Sequence, residues 1–165
     1  MSGPLPDVAL VLTRVAVPEV LAAGAAVNRL AIDVVPTAIG CVAVCASAGD
    51  AGATAALLSR LVPGAPVVLL VQRDGQVDAS RWQAGVEQQP LSAALMLDGA
   101  PPEIEGLLLG SVEITELSGA VSSAGMSRWR AARTLASAAR ATRRLARAEA
   151  RDADARPAGG TDAGR

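Results

Sequence analysis

The apolar residues of this sequence are almost all aliphatic, since the chain contains no Phe or Tyr and only two aromatic residues, Trp82 and Trp129. Hydrophobic residues nevertheless make up 51% of its 165 positions. Side chains of Ala, Val, Leu and Ile suit the close packing of short elements more than the lining of a large aromatic cavity. This length is enough for one ordinary domain or for two small ones.

The residue types that usually carry catalysis are scarce. His is absent, which removes the commonest general base and metal ligand. The only thiols, Cys41 and Cys45, are too few for a metal cage or a disulfide framework. We therefore expect a protein without enzymatic activity, cofactor or metal.

The order of apolar runs predicts an α+β fold. The predicted elements are a strand (8–13), a helix opening at Pro18, two strands (32–35 and 41–46), a helix (50–61) and a strand (65–71). This order is the ferredoxin-like βαββαβ arrangement, over residues 5–73. If residues 32–46 held a single strand, the order would be that of a doubly wound parallel sheet. Pro36 favours two strands, because proline fits poorly inside a central strand.

The rest of the chain divides into three predicted segments. Residues 74–100 begin with a polar, turn-rich stretch and are expected to be a linker or an extra strand. Residues 101–151 are expected to be helical. Residues 152–165 end in PAGGTDAGR, a composition typical of a disordered tail.

The stretch SAGDAGAT, residues 47–54, is a glycine-rich turn between a predicted strand and a predicted helix. Such turns hold phosphate in some proteins, but this one lacks the Gly-Lys-Ser/Thr of a P-loop and the three glycines of a dinucleotide fingerprint. Asp50 would also place a carboxylate beside the phosphate. A tight turn with Asp50 as the helix N-cap is the favoured interpretation.

Residues 13–35, TRVAVPEVLAAGAAVNRLAIDVV, are followed by IGCVAV and then by GDAGA. This series resembles the bacterial microcompartment shell-protein domain, with matches at Thr13, Arg14, Val17, Pro18, Ala22, Ala23, Ala25, Gly49 and Asp50. The resemblance implies a flat hexamer, hence a homo-oligomer, whose central pore is lined by the turn Ile39, Gly40 and Cys41. Glycine would be needed there because a Cβ would collide with symmetry mates.

Charge is divided along the chain. Residues 1–127 carry twelve acidic residues and five arginines, whereas residues 128–165 carry ten arginines and four acidic residues. At 3.6 residues per turn, one stripe of a helix collects Arg133, Arg140, Arg144, Arg147 and Arg151, with Trp129 and Arg130 near its edge. Ala131, Leu135, Ala138 and Thr142 lie opposite. Through residues 128–151 the chain could bind nucleic acid, an acidic surface of this chain or of another protein, or nothing.

The string AGMSRWRAARTL, residues 124–135, resembles the turn and recognition helix of helix-turn-helix DNA-binding proteins. Gly125 would make the turn, Met126 would enter the core and Ser127 would cap the second helix. The resemblance implies that residues 116–123 form the first helix, after a helix at 102–109. A shell-protein variant of ethanolamine utilisation is similar in joining a shell domain to such a motif.

Three hypotheses follow for the function. The first is an oligomer-forming shell-type protein with a basic helix for nucleic acid or cargo. The second is a DNA-binding transcriptional regulator with an α/β domain for dimerisation or ligand sensing, and the third is a soluble α/β protein whose arginine helix only packs on its own acidic face. The N-terminus lacks the basic start of a signal peptide, and charged residues interrupt the apolar segments. We therefore expect a cytoplasmic protein with no integral membrane segment.

Overall fold

A computed structural model describes residues 7–155 and has a mixed α+β fold, with one seven-stranded antiparallel sheet and five α-helices. The strands are β1 (Val8–Leu12), β2 (Ile32–Thr37), β3 (Gly40–Cys45), β4 (Val67–Arg73), β5 (Gln76–Gln83), β6 (Val86–Leu91) and β7 (Val121–Ser122). The helices are α1 (Pro18–Val27), α2 (Ala51–Leu61), α3 (Ala93–Leu97), α4 (Pro102–Leu108) and α5 (Arg128–Ala155).

The sheet has the strand order β6-β5-β4-β1-β3-β2-β7, and each neighbouring pair is antiparallel. Residues 32–45 form the predicted hairpin, in which Thr37 lies opposite Gly40. Pro36 is accommodated opposite Cys41 in this ladder. The alternative doubly wound parallel sheet is therefore wrong.

Alternation along the strands divides the core between the two faces of the sheet. In β1, Ala9 and Val11 point to the face covered by α1 and α2, whereas Leu10 and Leu12 point to the face covered by α3 and α4. Helix α1 contributes alanines and Leu21 to the first core, and α4 contributes Ile104, Leu107 and Leu108 to the second. The body of the protein thus has helices on both faces of one sheet.

Residues 74–100 continue the sheet. β5 pairs with β4 along seven consecutive positions, and β6 pairs with β5 at the edge. The apolar run at residues 93–97 is helix α3, whose N-terminus is capped by Ser92. This segment, expected to be a linker or an extra strand, therefore supplies two strands and a short helix.

The C-terminal region does not form the expected helix-turn-helix. Residues 116–123 are not a helix: they contain the end of a 3-10 turn (Ile114–Glu116) and strand β7, which pairs with β2. The preceding helix, α4, packs on the second face of the sheet, whereas α5 contacts α1 on the first. Two helices on opposite faces of a sheet cannot pack together as that motif requires.

Candidate nucleic-acid interface

Helix α5 begins as its local sequence predicts. Gly125 has φ +89, a left-handed conformation that favours glycine. The hydroxyl of Ser127 accepts a hydrogen bond from the backbone N–H of Arg130 at 3.2 Å, which makes Ser127 the N-cap. Met126 is half-buried. It packs against the core between the sheet and α1, and against the apolar contact between α1 and α5. The turn, the cap and the inserted methionine are therefore confirmed.

Only the first part of α5 is docked on the body. Its docking face consists of buried Ala131 and half-buried Thr134, Leu135 and Ala138. Ala131 packs against Ala23 and Ala26 of α1. The spacing i, i+3, i+4 and i+7 of these four residues is that of one helical face, so the apolar side was correctly predicted as far as residue 138.

Beyond the docking face, α5 projects from the body. Every residue from 139 to 153 is exposed, including Thr142 on the side opposite the arginine stripe. We call residues 139–153 the arm. Among residues 7–155, the side chains of the arm are exposed, so they are open to a partner.

All five arginines of the stripe are exposed: Arg133, Arg140, Arg144, Arg147 and Arg151. Helix geometry places them within about 40° of one line and spreads them over about 27 Å. Because α1 contacts the opposite side of α5, the hypothesis that the stripe packs on the acidic body of its own chain is wrong. The structure thus brings all four predicted interface arginines of the stripe onto one open surface.

The remaining two predicted residues lie at the base of the helix. Trp129 is 76% exposed and lies three turns before Arg140, on the line of the stripe. Arg130 is also exposed, but it lies about 80° around the helix axis from that line. The stripe therefore has an aromatic side chain at one end.

The charge around the stripe is positive along most of its length, and acidic residues occur only from Glu149 onward, near Arg151. Residues 128–148 contain seven arginines and no Asp or Glu, and the first acidic residue, Glu149, lies on the opposite side of the helix. Arg140 donates a hydrogen bond to Ser137 at 3.2 Å, which leaves most of its donors available. Guanidinium groups stay charged at any physiological pH and bind phosphate in bidentate fashion.

The predicted pore residues do not share a surface. Ile39 is exposed, whereas Cys41 is fully buried and faces the core beneath α1 and α2. Gly40 has φ +126, and a Cβ at this position would overlap the carbonyl oxygen of Thr13. Glycine is required here by the chain itself, so the expected collision with symmetry mates is not needed to explain it.

The SAGDAGAT stretch is a turn before α2, as favoured, and Asp50 occupies the N-cap position of α2, although its side chain makes no capping bond. Ser47 caps the short 3-10 turn Ala48–Asp50 and accepts a hydrogen bond from the N–H of Gly49 at 3.1 Å. Arg73 donates to the carbonyl of Ala48 at 2.9 Å. The adjoining cavity, of about 450 Å³, is bordered by Asp78 and Glu87, whose carboxylates would repel phosphate.

Both thiols are protonated at neutral pH. Burial and the Glu19 carboxylate raise the pKa of Cys41 from 9.0 to about 11. Burial also raises the pKa of Cys45 to about 11, since the opposing hydrogen bond with Thr54 is a smaller effect. A thiol of raised pKa is a poor nucleophile.

These pKa values predict that the free energy of unfolding falls between about pH 9 and pH 11. In this window the unfolded chain has lost its thiol protons while the folded chain keeps them, so each thiol contributes a slope of up to about −1.4 kcal/mol per pH unit. Few other groups interfere, because the chain has no Tyr and all its basic side chains are Arg. Urea denaturation across this range measures the slope. A variant with Ala at both Cys41 and Cys45 should lose it, and a flat wild-type profile would contradict the raised pKa values.

Two buried features were not predicted from the sequence. The amide of Gln72 has no hydrogen-bond partner among residues 7–155, although its side chain is 1% exposed. A narrow apolar groove of about 260 Å³ lies between α1 and the end of α2, beside Leu135. A Gln at the end of the run APVVLLVQ gives little sign of its burial, and the groove depends on how α5 docks.

Within residues 7–155, no cluster of three or more His, Cys, Asp or Glu side chains could hold a metal ion. None of the helices in that range combines the length and apolar character needed to cross a bilayer. Comparison of the chain with protein-family models, with curated proteins and with solved structures finds no match.

Proposed function

We propose that this protein is a non-enzymatic structural protein that binds nucleic acid through the arginine stripe of α5. The observation that carries the proposal is the exposure of the whole arm, with the arginines gathered on the side away from the body. A helix used only to stabilise the body would end near Ala138, where its contacts with α1 end. The turns of α5 beyond Ala138 instead carry four of the five arginines of the stripe.

Nucleic acid fits this surface because its charge is regular and extended. A phosphate backbone offers a negative charge at every nucleotide, and a row of arginines about 27 Å long can follow it. Contacts to phosphate fix position without selecting a base sequence. We therefore propose binding of low sequence specificity.

We further propose that residues 8–73 have the ferredoxin-like topology and that the body assembles into a shell-type homo-oligomer. The antiparallel order β4-β1-β3-β2, with α1 and α2 on one face, supports the topology. The resemblance to microcompartment shell proteins supports the assembly. Light scattering coupled to size-exclusion chromatography tests it: a hexamer or a larger assembly is expected, and a monomer at all concentrations would overturn it.

The nucleic-acid proposal is tested with a chain that ends at Ala138. This truncation keeps the docking face and Arg133 but removes the arm, so its thermal stability should match that of the full chain. Its binding to a labelled DNA duplex at low salt should be lost or reduced by two orders of magnitude or more. Equal binding by the two chains would show that the arm is not the interface.

A further inference from the structure

We infer that Trp129 is a base-stacking residue, so that the arm prefers nucleic acid with unpaired bases. This inference rests on the proposed function, because the arginine stripe would hold the phosphate backbone while Trp129 contacts a base. Aromatic side chains stack on bases of any sequence, since every base has a π-face. A base inside a duplex is already stacked and cannot be reached in this way.

The first observation is the exposure of Trp129 beside the arginines. At 76% it is the most exposed of the large apolar side chains in the described part of the chain. Arg133 lies one turn further along the same side of α5, and the rest of the stripe follows. A strand held along the stripe would therefore bring a nucleotide next to the indole ring.

The second observation is the contrast with the other tryptophan. Trp82 is half-buried, packs against the core on the α1 side of the sheet and donates its indole N–H to the hydroxyl of Ser80 at 2.9 Å. These contacts within the body explain why a tryptophan occupies position 82. Trp129 belongs to neither core cluster of the sheet and lies on the side of α5 away from α1, so packing gives no reason for a large aromatic there.

The first experiment separates base stacking from charge attraction by comparing four ligands. In a Trp82→Phe background, Trp129 is the sole tryptophan, and its fluorescence is followed during titration with oligothymidylate, oligouridylate, a DNA duplex and inorganic polyphosphate. All four should bind with strong salt dependence, but only the single strands should quench the emission. Comparison of the affinities for oligothymidylate and oligouridylate tells whether single-stranded DNA or single-stranded RNA is the preferred ligand.

Affinity measurements in the otherwise unchanged chain provide a second readout. Trp129→Ala should weaken the binding of single strands by about 10-fold or more and leave polyphosphate binding nearly unchanged. Trp129→Phe should retain most of the affinity for single strands, since phenylalanine also stacks.

Three results would overturn the inference. If duplex and polyphosphate bind but single strands neither quench Trp129 nor depend on it, stacking is excluded while the proposed function stands. If none of the four binds, both fail. Anionic lipid vesicles that bind more tightly than the single strands, with a blue shift of the Trp129 emission, would assign this surface to a membrane instead.

Discussion

Replacing Gly40 by Ala is expected to lower the free energy of unfolding by about 3 kcal/mol or more. The backbone at Gly40 has a φ that L-residues rarely adopt, and the new Cβ would overlap the carbonyl oxygen of Thr13. That carbonyl cannot move away easily, because Thr13 donates two hydrogen bonds to the carbonyl of Cys41, from its hydroxyl at 2.8 Å and from its N–H at 3.0 Å. Urea denaturation of the purified variant measures the loss.

A glycine in helix α1 supplies the matched control. A Cβ at Gly24 would meet the Leu61 side chain at 3.5 Å, an ordinary contact. Gly24→Ala should therefore raise stability by about 0.5–1 kcal/mol through its higher helix propensity. A Gly40→Ala variant as stable as wild type would show that the turn at Thr13 is not as tightly closed as described.

Replacing Arg140, Arg144 and Arg147 by Gln is expected to weaken the binding of a DNA duplex by roughly 100-fold or more near 0.1 M salt. If each arginine neutralises one phosphate, the slope of log K against log salt should also become shallower by about 2.7. Gln is a good helix former, so α5 should keep its helical structure. Fluorescence anisotropy over a series of salt concentrations gives both quantities.

The control for this variant removes the same charge from the body. Arg14, Arg29 and Arg81 are also exposed but lie outside α5. Replacing these three by Gln should change duplex affinity far less than the substitutions in the arm. Equal losses in the two triple variants would indicate attraction by net charge alone, without a defined interface.

Much of the fold could be predicted because local chemistry and tertiary packing agree. Pro36 correctly favoured a hairpin over one continuous strand, although it lies near the end of β2, opposite Cys41, and not in the turn. Helix periodicity likewise placed Ala131, Leu135 and Ala138 on one side of the helix, opposite the arginine stripe, and this is the side that docks on α1. These features depend on residues close together in sequence.

The errors arose where distant contacts decide the structure. Residues 116–123 fit a helix-turn-helix pattern locally, but Val121 and Ser122 pair with β2, and the hydroxyl of Ser123 donates to the carbonyl of Leu30 at 2.7 Å. Strands β5 and β6 are polar because they lie towards an exposed edge of the sheet, so their sequence was indistinguishable from a boundary. The 3-10 turn that Ser47 caps before α2 could not be predicted without the geometry of the chain there.

The disposition of the C-terminal helix was predicted only in part. Periodicity gives the faces of a helix but not the point at which its partner ends. Thr142 lies opposite the stripe, as predicted, but it is exposed because it lies beyond the docking face. Residues 152–155, expected in a disordered tail, belong to α5, and the rest of that tail lies outside the described residues.

The most direct test of the account is the salt dependence of duplex binding by the full-length protein. Five exposed arginines contacting phosphates predict a slope of log K against log salt of about −4.5. A slope near that value, reduced in the chain ending at Ala138, would support the arm as a phosphate-binding element. Absence of binding at low salt, or a slope near zero, would contradict it.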